Sequence, residues 1–599
     1  MKLTNYLFLS SVAMVTSLLL TNCGNLNKNP EITSFEISEH ITYLASDSLK
    51  GRYPGEMGHN IAASYIHKQF SDYGLVPMAD NGYQHFKVVT GCSLGKSNYL
   101  LVNNDSLTID KDFRPLAFSS NAETMGEVVF VGYGFEIETD SLKWNDYAMV
   151  DAKGKWVLVL REDPEPENMN SEFIPYATDR AKATLAKDKG AIGVLLVNGL
   201  NASKMDQPLE LAFDQNMSDA GLPVISITRE AANSILKGSI PIEELETSIV
   251  EKKKSVVLQS KTIITANTEV IQNLTDAKNV VFMVKAKTAS ETNEFVVVGA
   301  HYDHLGMGGK EVNSRMPDTI AVHNGADDNA SGVAGMIELA GYYQNKANEL
   351  TKNMVFVAFD AEEMGVLGSR YFVENFPSPI QKSSVKAMFN FDMIGRMKAD
   401  SIGISLGGTG TAQEFDSLLN SSKPVFNVTF SPDGYGPSDH APFYSADIPV
   451  LFYSTGAHED YHTPLDDFEK INCDKEAEIL NYSTGIITAV ATTTDSLTFQ
   501  STGTPPAQGQ RRTRLKVTLG IIPDMTGIQK DGLGVDGVRK GGPAEKGGIL
   551  KGDKIIAINS QPVTNIYDYM FRMAKLKVGS TAIVEVERNN QKVVLLIQL

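Results

Sequence analysis

The chain of 599 residues is longer than one hydrophobic core organises, so about two to four domains are expected. With 72 Asp and Glu against 54 Lys and Arg, its formal net charge of −18 excludes the basic surface that a nucleic-acid partner requires. Its 3 cysteines allow one disulfide at most, and Cys92 and Cys473 read as isolated thiols.

Lys2 followed by the apolar run Tyr6–Leu20 has the form of an export signal. The run is too short, and too interrupted by Ser and Thr, to span a bilayer comfortably. It ends at Leu20-Thr21-Asn22-Cys23, which resembles a bacterial lipobox with Asn22 in place of the usual Gly, Ala or Ser. The expectation is a signal peptide over 1–22, acylation of Cys23, and a polar tether over 23–35. Such a protein is exported and anchored by lipid to a membrane of the bacterial envelope, in the periplasm or at the outer membrane. An uncleaved anchor or ordinary cleavage is the alternative.

From Ile37 to Phe86 the pattern is helical, with Ile61, Ala62, Tyr65, Ile66 and Phe70 on one face and Gly74 as a stop. Residues 123–265 change character. Short strands at Glu127–Val131, Lys155–Leu160, Ile192–Val197 and Pro223–Ile227 alternate with Gly turns, and a helix is expected over Asp179–Lys189. Further on, apolar runs at Phe295–Gly299, Met354–Phe359, Ala387–Phe391, Ile402–Leu406 and Val450–Tyr453 read as strands covered on both faces. Helical patterns such as Ala330–Asn345 sit between several of them, which predicts an α/β fold with a mostly parallel sheet. A Thr-, Gly-, Pro-, Gln- and Arg-rich stretch over 497–514 reads as a linker. It is followed by Leu519-Gly520-Ile521, the string VRKGGPAEKGGILKGDKIIAINSQPV and a helix near Ile566–Ala574.

Five motifs follow the apolar runs. GAHYDH holds His301 and Asp303, and a metal-bound His commonly gives its second ring N–H to a carboxylate. NGADDNASG holds Asp327 and Asp328 where a helix opens; a plain helix cap is the competing reading. FDAEEMG holds Glu362 and Glu363, whose side chains point apart in extended chain and can take different tasks. FNFDMIGR places Asp392 among apolar neighbours, where a bare carboxylate is costly unless paired or metal-bound. DYHTPLDD supplies His462. No single motif decides. Jointly, two His and several carboxylates collect at the carboxyl ends of parallel strands, a donor set suited to zinc.

In order, spacing and wording these residues resemble the di-zinc aminopeptidase family, whose peptidase fold the transferrin receptor shares. The string LASDSLKGRYPGEMGHNIAASYIHKQFSDYGLVP resembles the start of its peptidase domain. Residues 123–265 resemble a protease-associated insert in peptidases of this kind, and 515–599 resemble a PDZ domain; 36–122 and 266–496 are then the zinc peptidase domain. The resemblance implies two zinc ions, one bound by His301 and Asp392, the other by Glu363 and His462, with Asp328 bridging. It implies Glu362 as general base, Asp303 as support for His301, and His440 in GPSDHAPF near the substrate pocket. The implied substrates are peptides cleaved from a free N-terminus. The loop at Leu519, Gly520 and Ile521 would bind C-terminal peptide tails through backbone N–H groups. Alternatives are a glutaminyl-peptide cyclase with one zinc, a carboxypeptidase or endopeptidase of the same fold, and a non-catalytic peptide-binding protein. The remaining His residues read as structural or surface, with His304 and His458 flanking the site.

Overall fold

The computed structural model describes residues 31–139, 141–168, 170–214, 216–287, 293–397, 403–502, 517–524, 531–539 and 541–599. The expected signal peptide, Cys23, residue 402 and most of the expected linker lie outside the described residues. The chain divides into two compact units. One comprises 1–86, 277–307 and 320–501; the other comprises 87–276, 308–319 and 502–599.

The first unit opens with helices α1 (Ser34–Leu44) and α2 (Met57–Asp72). Thr33 caps α1 by accepting the Glu36 N–H on its hydroxyl. Helical structure stops earlier than its periodicity predicts. Gly74 adopts φ +79°, and Val76–Pro77 and Tyr83–Leu94 are strands. A sheet follows, built on β1 (Val270–Val284), β2 (Phe295–His301), β3 (Asn353–Phe359), β4 (Val385–Phe391), β5 (Ile404–Gly407) and β6 (Val450–Ser454). Its order is Val76–Pro77, β1, β3, β2, β4, β6, β5, Val428–Phe430. Strands β3, β2, β4 and β6 run parallel, while β1 and β5 pair antiparallel at the flanks.

The apolar runs are continuous because both faces are covered. In β2, Val296, Val298 and Ala300 enter one core while Phe295 and Val297 enter the core on the opposite face. In β3, Met354, Phe356 and Ala358 divide from Val355, Val357 and Phe359 in the same way. Each such side chain contributes up to about 1.5–3 kcal/mol on burial. Helix α3 (Gly332–Asn345) is buried along nearly its whole length. With four central strands parallel, the segments that leave their carboxyl ends share one edge of the sheet. Leu497 and Thr498, expected to begin a linker, belong to this unit instead. Thr498 donates through its N–H and hydroxyl to Glu414, each at 2.8 Å, and Phe499 packs on Tyr444.

In the second unit, an eight-stranded sheet carries a parallel centre formed by Ala122–Val131, Trp156–Leu160, Gly193–Val197 and Val224–Ile227. The helix Asp179–Asp188, capped by Thr178, packs on it. A separate sheet holds Ile521–Pro523, Leu533–Val538, Lys554–Ile558, Thr581–Arg588 and Gln591–Gln598, with the helix Ile566–Ala574. These two parts are joined through their helices. Phe571 is buried in the core under Asp179–Asp188 with Leu185 and Ala186. Arg572, 3 % exposed, makes a two-pronged ion pair with Asp188, one arm at 2.7 Å. Lys187 lies 3.3 Å from Asp568, and the Arg180 guanidinium stacks 4.1 Å over the Tyr567 ring.

Candidate metal centre

The sheet edge delivers the motifs to one place. His301 is the last residue of β2, the segment with Glu362 and Glu363 leaves β3, and Asp392 follows β4. Asp328 sits in the turn Ala326–Ser331 that opens α3, and His462 lies in the loop beyond β6. Ala361, Met393 and His462 all adopt positive φ, so the backbone beside the centre is held away from its ordinary basins.

The two carboxylate oxygens of Asp328 face different partners. Oδ1 lies 3.3 Å from His301 Nε2, which is itself 3.6 Å from Asp392 Oδ1. Oδ2 lies 3.2 Å from His462 Nε2, which is 3.0 Å from Glu363 Oε2. Tetrahedral zinc with bonds near 2.0–2.1 Å separates its ligand atoms by roughly 3.3 Å. The imidazole-to-carboxylate distances of both sets lie near that spacing, and both sets consist of imidazole nitrogen and carboxylate oxygen. Two groups of metal-ligand character, His301 with Asp328 and Asp392, and His304 with Asp328 and Glu363, each fall within 4.8 Å.

The adjacent acids lie in a turn, not in extended chain: the Gly365 and Val366 N–H groups both return to the Glu362 carbonyl at 2.8 Å. Glu362 Oε2 is 3.9 Å from His301 Nε2. Asp327 turns from the centre and accepts from the Gly395 N–H at 2.7 Å, with His458 Nε2 at 3.3 Å. Burial raises the Glu362 carboxyl, and the acids Asp439, Asp392 and Glu363 raise it further, to well above the usual range. Burial opposes ionisation of Glu363 as well, but His462 and His304 bring it down to about 2. Burial also works against a charged His301, yet Glu362 and Asp392 hold it well above the ordinary imidazole value.

Asp303 lies beneath this arrangement, fully buried. Its carboxylate is 3.7 Å from His301 Nδ1, and the nearer acceptor for that nitrogen is the Asp303 carbonyl at 3.2 Å. The carboxylate accepts the backbone N–H groups of Glu362 and Glu363 at 3.0 and 3.3 Å, fixing the segment that carries both. His440, in the same string as Ser438, is buried beside the centre's supporting residues. It stacks on Phe452 with centroids 4.4 Å apart, and burial pushes its ring down to about 3. The same motif reaches the centre through Ser438, whose hydroxyl donates to Asp392 Oδ2 at 2.6 Å.

Three supporting residues carried no metal-ligand pattern. Asp466 Oδ2 accepts the N–H groups of Asp327 and Asp328 at 2.9 and 3.0 Å. It lies in the DYHTPLDD string, four residues past His462. Arg52, 1 % exposed, donates to the carbonyls of Leu44, Tyr302, Asn324 and Gly325 and so ties the GAHYDH loop to the NGADD turn. His304 donates from Nδ1 to Glu363 Oε1 at 2.7 Å.

At the expected peptide loop in the second unit, Leu519 is buried and Gly520 adopts φ +76°. The Gly520 N–H donates to the Thr518 hydroxyl at 3.0 Å, and Ile521 begins an edge strand.

Comparison with known proteins matches three family models. Residues 279–485 match peptidase family M28, 117–235 match the PA domain and 517–599 match the PDZ domain. The chain is 25 % identical over 330 residues to aminopeptidase YwaD of Bacillus subtilis, covering 54 % of this chain and 59 % of that protein. It is 32 % identical over 145 residues to leupeptin-inactivating enzyme 1 of Streptomyces exfoliatus, covering 23 % of this chain and 31 % of that enzyme. It thus spans less than two thirds of the length of these relatives. Among solved structures, it is similar to the aminopeptidase from Aneurinibacillus sp. strain AM-1 with a TM-score of 0.47 and 20 % identity, over 81 % of this chain and 98 % of that one. The chain therefore carries a peptidase family M28 domain, with a PA domain in the segment between 86 and 277 and a PDZ domain beyond it.

Proposed function

We propose that this protein is an exported, zinc-dependent aminopeptidase that removes N-terminal residues from peptides. The observation that carries the proposal is the split of Asp328. One oxygen faces His301 and Asp392, and the other faces His462 and Glu363, each at the spacing zinc ligands keep. In this reading those five side chains hold two zinc ions, and Asp303, Asp466 and Ser438 fix their orientation. Bound zinc supplies Lewis-acid polarisation of a peptide carbonyl and makes water acidic enough to attack near neutral pH.

Glu362 is the general base. It is absent from both ligand sets, and its carboxyl has a raised proton affinity caused by burial among acids. It takes a proton from the attacking water as the new C–O bond forms. It returns that proton to the departing amine nitrogen as the C–N bond breaks, leaving a free amino acid and a shortened peptide. The buried acids provide negative charge for a substrate ammonium, which favours a free N-terminus. Export and anchoring to the envelope rest on the segment from Lys2 to Cys23; among the described residues no helix is long and apolar enough to cross a membrane. The PDZ domain adds a second place for peptide, at the strand beginning with Ile521.

The test is a panel of one peptide with free, N-acetylated and C-amidated ends, assayed with zinc analysis. Acetylation is expected to abolish cleavage while amidation changes little. The reverse pattern reassigns the protein to a carboxypeptidase.

A further inference from the structure

We infer that His304 is a positioning residue for Glu363, setting the affinity of the zinc site formed by Glu363, His462 and Asp328. The inference rests on the two-zinc reading and adds a residue to it.

Glu363 divides its oxygens. Oε2 faces His462 Nε2 at 3.0 Å, and Oε1 receives His304 Nδ1 at 2.7 Å. A buried carboxylate with one oxygen on a metal leaves the other to be satisfied, and a buried acceptor left unmet is destabilising. His304 meets that need. Because the carboxylate can only accept, Nδ1 is the nitrogen that bears the proton. The contact also holds a flexible side chain in one rotamer, so the oxygen facing the metal is in place before the ion arrives.

The distances favour His462 over His304 as the ligand beside Glu363 and Asp328. Its Nδ1 lies 2.7 Å from Glu363 Oε1 but 4.0 Å from Asp328 Oδ2. The first is a hydrogen-bond length, shorter than the roughly 3.3 Å between two ligands of tetrahedral zinc, and the second is longer. His462 Nε2, at 3.0 and 3.2 Å from the same two residues, satisfies the spacing.

The fold makes room for this ring. His304 is fully buried. A Cβ at Gly325, where φ is +55°, would lie 2.6 Å from His304 Cδ2 and 2.2 Å from the Asp328 carbonyl. The glycine of NGADD therefore serves two ends, the turn that presents Asp328 and the space for His304. Arg52 secures both, since its carbonyl accepts the His304 N–H at 3.3 Å while its guanidinium holds the Gly325 carbonyl.

The experiment is zinc titration against a chelator on the full chain, with ions per chain counted, for the parent, His304→Ala and His304→Asn, and for each substitution in a Glu363→Gln background. In His304→Ala, one of two zinc affinities is expected to fall about 10–100-fold while the other stays within a few fold. Asn, which keeps an N–H near the Nδ1 position, should restore most of it. In the Glu363→Gln background, His304→Ala should change zinc affinity little, because the effect runs through Glu363. Unchanged affinities in His304→Ala overturn the inference. Full loss of one ion that Asn does not rescue also overturns it, making His304 a ligand. A parent chain that binds no zinc refutes the proposed function, whereas a parent with two ions and an unaffected His304→Ala refutes the positioning role alone.

Discussion

Glu362 and Glu363 are adjacent, equally acidic and fixed by the same Asp303 carboxylate, yet the structure turns them to different surroundings. Their amide variants should therefore fail differently. Glu362→Gln keeps the shape of the side chain and the backbone N–H that Asp303 accepts, and alters a residue that belongs to neither ligand set. What it removes is the site that holds the proton. General-base loss typically costs about a hundredfold to ten-thousandfold in rate, which is roughly 3–5 kcal/mol of barrier. Zinc should remain near parental and substrate should still bind, so the loss belongs in kcat. Glu363→Gln instead replaces an oxygen that lies 3.0 Å from His462 Nε2 and 2.7 Å from His304 through its twin. A neutral amide is a poorer ligand, and His304 then faces a group of mixed donor and acceptor character. This variant should lose affinity for one ion as well as activity. The assay is kcat and KM for a free-amine peptide, with zinc per chain measured on the same preparations. Zinc lost by Glu362→Gln and kept by Glu363→Gln would mean that the two roles are exchanged. Full activity in both variants would falsify the mechanism.

Two further outcomes are expected. Asp466→Ala strands the buried N–H groups of Asp327 and Asp328, about 1–3 kcal/mol each, so thermal stability and zinc affinity should fall together; Asp466→Asn, which retains an acceptor, should recover most of both, and an unaffected Asp466→Ala counts against the role. The PDZ helix should hold the PA domain by itself: after cleavage at a protease site placed within 503–516, the two fragments of the parent should co-elute. Phe571→Ala or Arg572→Ala should separate them, since loss of a buried aromatic or of one partner of a buried ion pair costs about 3–5 kcal/mol, and fragments of the parent that part freely contradict the docking.

The central strands were legible because a strand buried on both faces must be apolar along its length, and Phe295–Ala300 in β2 and Met354–Phe359 in β3 read that way. The ligand motifs were legible for a related reason. Carboxylates and imidazoles placed directly after such strands have no apolar use. The helical reading from Ala330 agrees with the structure, where helical backbone resumes directly after Asp328 and Asn329 leave it to turn a carboxylate toward two histidines. Propensity does not record that turn. Gly74 ends α2 as expected, but the stretch beyond it to Phe86 holds the strands Val76–Pro77 and Tyr83–Leu94, with burial from Tyr83 to Phe86 alternating as a strand's does. Supporting residues were harder. Asp466 and Ser438 lie inside strings that were noted for other residues, and their value is a hydrogen bond made by folding. Arg52 works through four carbonyls, which leave no trace in side-chain pattern. Arg572 and Asp188 are 384 positions apart, and each looks like the polar face of an amphipathic helix until the helices meet.

The most direct test of the account is anomalous diffraction at the zinc edge from crystals of the zinc-loaded protein. Two peaks are expected on either side of Asp328, one among its Oδ1, His301 and Asp392, the other among its Oδ2, His462 and Glu363. A single peak, or peaks that do not share Asp328, would contradict the two-zinc centre on which the proposed function depends.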